Sequence, residues 1–131
     1  METLFTKIIR GEIPCHKIAE DENFIAFLDI HPINPGHTLV VPKKEFDYIF
    51  DGDDTTLAQL IVFSKKVALA IRKTVPCIRV GIMVAGLEIP HCHIHLVPIV
   101  KMSDLNFENA KSASGEDLKL IAEKIKKNIL L

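Results

Sequence analysis

The chain has 131 residues, 48% hydrophobic and 25% charged, which suits one packed core and excludes a disordered chain. Sixteen Lys and Arg against seventeen Asp and Glu give a formal charge of −1, so there is no basic footprint for nucleic acid. No apolar run reaches the roughly 18–20 residues that cross a bilayer, so no membrane is expected as a partner.

Cys15, Cys77 and Cys92 form neither a CxxC pair nor an even framework, as in a reducing compartment. The opening Met1–Lys7 lacks the basic-then-apolar pattern of a signal peptide. The expected location is therefore the cytoplasm, and 1–131 reads as a single domain.

In chain order, residues 2–10 predict a short helix with Leu4, Phe5, Ile8 and Ile9 on one apolar face. Gly11 can stop it, and Pro14 bars its continuation. His16–Ala19 is a short strand. Phe24–Ile30 is the next, too short for a typical helix and rich in aromatic and branched residues. Asp29, its one acid, either caps the following turn or accepts hydrogen bonds from a pair of ligand hydroxyls.

His31-Pro32-Ile33-Asn34-Pro35-Gly36 is a stiff loop. His37–Pro42 is a third strand, with His37 at the sheet end, and Lys43-Lys44-Glu45 is a solvated exit. Asp51–Asp54 opens a long helix over about Thr55–Thr74. Leu57, Leu60, Ile61, Val67, Ala68 and Ile71 form its stripe. Phe63 and Leu69 carry apolar character beyond that stripe, which fits either deeper burial or a twin subunit.

Cys77–Ala85 alternates as a fourth strand, and Gly86–Pro90 joins it tightly to a fifth in a hairpin. Residues 101–113 read as a polar surface loop. Ser114 caps a last helix lined by Leu118, Ile121, Ala122, Ile125 and Ile129. Short loops between strands predict an α+β class, with roughly five antiparallel strands, one long helix and a C-terminal helix.

The fifth strand carries the chemistry. It reads Pro90-His91-Cys92-His93-Ile94-His95-Leu96-Val97-Pro98. On a strand the three histidines share one face, roughly 6.5–7 Å apart, within reach of one small anion. Cys92, Ile94 and Leu96 then face the core. Imidazole serves as nucleophile, acid or base near neutral pH. Two such histidines and a third ligand can also hold Zn²⁺. The residues alone leave both readings open.

In this pattern the sequence resembles the histidine-triad (HIT) family, in its nucleotide-binding, phosphoramidase-like branch. The triad reads His91-Cys92-His93-Ile94-His95-Leu96-Val97. Leu4–Pro14 matches too, as does Phe27–Ile30 through Pro35–Lys44. The resemblance implies a HIT-like fold and a homodimer whose sheets join across the interface. It implies a purine nucleotide ligand of AMP type, and hydrolysis or transfer at the α-phosphate of a phosphoramidate, acyl-adenylate or similar conjugate. No cofactor or metal is implied as required.

The resemblance further implies that His93 is a nucleophile forming a covalent nucleotidyl-histidine. His91 and His95 would orient the phosphate and assist proton transfer, with His37 supporting the triad. Asp29 would hold the ribose hydroxyls. Phe5, Ile8, Phe27 and Ile30 would line the base pocket, Ile89 would lie near the sugar or phosphate, and Gly86 would let the backbone approach.

The match breaks at Glu45, where many relatives carry histidine, and at Thr6, where zinc-containing relatives often carry cysteine. It also breaks at Val84–Pro90, a short connection with Glu88 where many relatives have a longer polar loop. Two alternatives stand beside the hydrolase: a nucleotide-binding module with little turnover, and a metal-dependent hydrolase using the same histidines.

Overall fold

The computed structural model describes residues 2–130; the two end residues of the expected 1–131 domain lie outside them. The strands are β1 Lys17–Glu20, β2 Phe24–Leu28, β3 Thr38–Pro42, β4 Arg79–Met83 and β5 Ile94–Ile99. They form one sheet in the order β1-β2-β3-β5-β4, with every neighbouring pair antiparallel. The helices are α1 Leu4–Ile9, α2 Asp54–Thr74 and α3 Gly115–Lys126. This is the α+β architecture expected from the short strand connections.

Both sheet faces are covered, so β2 and β3 are buried at every position and read as continuous apolar runs. On one face Phe24, Ala26 and Leu28 of β2 join Ile94 and Leu96 of β5 in a core closed by α2 and α3. On the other, Ile25, Phe27, Leu39 and Val41 pack with Phe5 of α1. Cys92 lies in the first core, as the alternation requires, and burial pushes its thiol up to about 11. The histidines are left to the α1 face.

Helix α2 starts one residue earlier than expected, with Asp53 as cap accepting the Thr56 N–H at 2.7 Å. It buries Leu60, Phe63, Val67 and Ile71, while Ile61, Val62 and Leu69 remain about half exposed. Edge strand β4 exposes Ile82, and Ile78 just before it is exposed too.

Three boundaries differ in ways that matter. First, β5 begins at Ile94, so His91 and His93 precede it. Val40 pairs with Ile94, which would bring Pro42 opposite Cys92, but proline has no N–H for the ladder. The Cys92 N–H goes instead to the Phe46 carbonyl at 2.7 Å. Second, β4 ends at Met83, so the connection to β5 spans 84–93 and is no tight turn. Third, β2 ends at Leu28 because Asp29 turns the chain, its Oδ1 accepting the His31 N–H at 2.9 Å. The segment 101–113 is also more ordered than a bare loop. It contains 3₁₀ turns at Met102–Asp104 and Phe107–Asn109, and the Asp104 carboxylate accepts the Val100 and Lys101 N–H groups.

Gly36 sets the approach to β3, with φ +98 and an added Cβ only 2.8 Å from Val75 Cγ2. Gly11 has φ +79 and open space around it. A left-handed alanine costs about 1–2 kcal/mol, and forced overpacking about 1–3 more. Urea unfolding should therefore show Gly36→Ala losing about 2–4 kcal/mol and Gly11→Ala about 1. Equal losses would remove the steric argument.

Candidate active site

The histidines are best read proton by proton, because a neutral ring has one N–H and one lone pair. His37, expected at a sheet end, is only 1% exposed. The Ile33 N–H donates to its Nδ1 at 3.0 Å, so a neutral His37 carries its proton on Nε2. That Nε2 lies 3.0 Å from His95 Nδ1 and donates to it. His95 in turn carries its proton on Nε2. Burial lowers both rings from 6.5 to about 4, which keeps them neutral at pH 7.

His93 has the opposite tautomer. Its Nδ1 donates to the His91 carbonyl at 2.7 Å, leaving the lone pair on Nε2. Burial is the main cause that lowers its pKa. The His93 and His95 rings lie 4.9 Å apart by centroid, and Phe5 stands edge-on to His93, also at 4.9 Å.

His91 is 1% exposed and has both nitrogens engaged. Nε2 lies 2.8 Å from the Pro42 carbonyl and donates to it, and Nδ1 lies 3.0 Å from Thr3 Oγ1. Neither nitrogen is available to a phosphate in this arrangement, unlike the other two triad rings.

Asp29 realises its turn-capping alternative through Oδ1, while Oδ2 lies 3.6 Å from His37 Nε2. With His37 neutral this approach is not an ion pair. Donor atoms of Asp29, His37 and His95 fall within 4.8 Å of one another, the spacing of a candidate metal centre. The donor set fits a metal poorly: His37 Nε2 bears the proton there, and moving it to Nδ1 would set it against the Ile33 N–H.

Of the residues assigned to the base, Phe5 and Phe27 are deeply buried and Ile8 packs against the same cluster, as does Ile89, assigned to the sugar or phosphate. Ile30 is exposed and lies outside that cluster. Gly86 sits in the 84–93 connection at φ +73 with open space around it. A concavity of about 520 Å³ between Pro32–Pro35 and the 101–113 segment contains none of the triad rings.

Two neighbours were missed in the sequence. Phe107 stands edge-on to His95 at 4.8 Å; its one signal was a lone aromatic in a polar segment. Thr3 caps α1 reciprocally with Thr6, a spacing visible in the sequence but silent about His91.

The family model for the HIT domain matches residues 10–102. An uncharacterized HIT-like protein of Borreliella burgdorferi is 34% identical over 132 residues, covering 95% of this chain and 91% of its own. Adenosine 5′-monophosphoramidase hnt1 of Schizosaccharomyces pombe is 35% identical over 99 residues, covering 75% of this chain and 74% of its own. The crystal structure of a Hit-like protein involved in cell-cycle regulation from Bartonella henselae superposes with a TM-score of 0.86 at 33% identity. That match covers 98% of this chain and 96% of the other.

The neutral rings make stability depend on pH with a definite sign. His37 and His95 refuse protons down to about pH 4, whereas in the unfolded chain they titrate near 6.5. Their stabilisation is complete above about pH 6.5 and is lost as pH falls toward 4. Each ring contributes a slope of at most about 1.4 kcal/mol per pH unit. In urea unfolding between pH 6 and 5, wild type should lose about 1 kcal/mol more than His37→Gln. Identical slopes would mean that His37 is not held neutral.

Proposed function

The chain belongs to the HIT family, and from that premise we propose that it hydrolyses or transfers the nucleotidyl group of a purine nucleotide conjugate through a covalent bond to His93. The observation that carries the proposal is the His93 ring, with Nδ1–H held by the His91 carbonyl at 2.7 Å and the lone pair on Nε2. Nε2 attacks the α-phosphorus, the bond to the leaving group breaks, and the leaving group departs with that electron pair and a proton from solvent, to which the water of the second step returns one. The ring becomes cationic, and its Nδ1–H is already held by a carbonyl dipole. Water then displaces His93 and releases the nucleoside monophosphate.

His95 presents Nε2–H to the phosphoryl oxygens, where negative charge builds, and His37 holds that ring in place. His91 acts as a strut within the protein. The Asp29 carboxylate takes the ribose hydroxyls through Oδ2. The base rests on the α1 side against Ile8, backed by Phe5 and Phe27, with Ile89 toward the sugar or phosphate. No metal is needed, because burial and the His91 carbonyl already prepare the nucleophile. The name of the fission-yeast relative, an adenosine 5′-monophosphoramidase, makes an adenosine phosphoramidate the first substrate to test. A homodimer accounts for the half-exposed Ile61, Val62 and Leu69 on α2 beside the apolar edge of β4.

With an adenosine 5′-phosphoramidate bearing a fluorescent amine, wild type should turn over in EDTA. His93→Ala should lose at least about 10³-fold in kcat. Wild type quenched in alkali, where a phosphorus–imidazole bond survives, should contain adenylylated protein. Near-normal turnover by His93→Ala would sink the covalent reading, and loss of activity in EDTA would favour the metal-dependent one. Light scattering should give twice the chain mass for wild type and the single-chain mass for Val62→Lys combined with Ile82→Lys.

A further inference from the structure

His91 is joined to the surface by a run of hydrogen bonds that the proposed reaction does not use. Since Nε2–H of His91 is held by Pro42, its Nδ1 is an acceptor, and the Thr3 hydroxyl must donate to it at 3.0 Å. Thr3 Oγ1 in turn accepts the Thr6 N–H at 3.2 Å. Thr6 Oγ1 accepts the Thr3 N–H at 3.1 Å and donates its own proton to Glu45 Oε1 at 2.5 Å. Both hydroxyl protons are thereby committed, and the 3.2 Å contact between the two threonine oxygens carries none. The donors are thereby fixed: Thr6 gives its hydroxyl proton outward to Glu45, and Thr3 gives its own inward to His91, which donates to the Pro42 carbonyl in the sheet. The run ends beside the nucleophile, because the carbonyl that holds His93 Nδ1 belongs to His91.

We infer that Thr3 is a positioning residue for His93: its donated proton, opposite the Pro42 carbonyl that sets the His91 tautomer, holds the His91 ring in place, and the His91 carbonyl so placed fixes the tautomer of His93. The inference rests on the covalent reading for its kinetic consequence and on the hydrogen bonds alone for its structural one. Helix α1 then does more than cover the sheet, since its cap and Phe5 both bear on the triad.

The experiment compares Thr3→Val, Thr3→Ser and Thr3→Asp with wild type in two readouts. Imidazole ¹⁵N shifts without nucleotide should show His91 protonated at Nε2 and His93 at Nδ1 in wild type. In Thr3→Val the Pro42 carbonyl should keep His91 protonated at Nε2, while His93 should move toward mixed tautomers. With the adenosine phosphoramidate, kcat should fall about 10- to 100-fold while KM changes by about 2-fold or less. Thr3→Ser should restore both readouts. Thr3→Asp keeps an acceptor for the Thr6 N–H but has no proton to give, so it can bond the ring only by taking Nδ1–H from an imidazolium, and ¹⁵N shifts should then show His91 protonated on both nitrogens. That separates the donated proton from loss of the helix cap.

Thr3→Val with wild-type His93 shifts or wild-type kcat overturns the inference, as does a Ser variant no better than Val. If wild type has no turnover but its His93 tautomer still follows Thr3, the covalent reading fails and the positioning of His93 stands.

Discussion

The site depends on one constraint: a neutral imidazole has a single proton, so whatever claims one nitrogen decides what the other can do. Three backbone groups make those claims. The Ile33 N–H leaves His37 with Nε2–H, the Pro42 carbonyl takes Nε2–H of His91, and the His91 carbonyl takes Nδ1–H of His93. The loop that delivers Ile33 returns through Gly36 into β3. The break before Ile94 frees the residues that hold His91 and His93. Pro42 serves both ends, since its missing N–H stops the ladder while its carbonyl anchors His91.

Buried neutral histidines are tolerable only when their polar atoms find partners and the rest of the fold supplies the stability. Here the two sheet faces divide that work. The α2/α3 face is a conventional apolar core around Val40, Val67, Ile71 and Leu96, all nearly inaccessible. The α1 face is smaller, and its aromatic rings stand edge-on to imidazoles, with Phe5 against His93 and Phe107 against His95. Dehydration by such neighbours lowers the pKa of His93, His95 and His37, and it keeps the lone pair of His93 free of a proton.

Much of the fold was legible because its signals are local. Alternation placed Cys92, Ile94 and Leu96 in one core and the histidines on the other face. Cap residues found the starts of α2 and α3 within a residue, though α3 ends at Lys126, before the Ile129 read as part of its face. What was not legible depends on pairing between distant segments. Nothing in Pro90–Pro98 alone says that the ladder ends where Pro42 comes opposite, so the strand was read three residues too long. His91 looked equivalent to its neighbours in spacing, yet Thr3 and Pro42, 88 and 49 positions away, engage both its nitrogens. Phe107 was passed over because a 3₁₀ turn that folds back on the sheet has no periodicity to read.

The same proximity that brings Asp29, His37 and His95 together would suit either a metal or a hydrogen-bonded relay. Distance does not choose between them, but the proton on His37 does. A metal at that point needs the Nε2 lone pair, which would force a proton onto Nδ1, where the Ile33 N–H already points. Rotating the ring would break its bond to His95 and release the orientation of Nε2–H there. The relay needs neither change. It passes a fixed tautomer from a backbone amide through His37 to His95, beside a His93 whose own tautomer is set in the opposite sense. A phosphate placed between them meets a lone pair on one ring and an N–H on the next, the two groups that attack at phosphorus requires. One backbone amide in a proline-rich turn therefore selects between the two chemistries that these side chains allow.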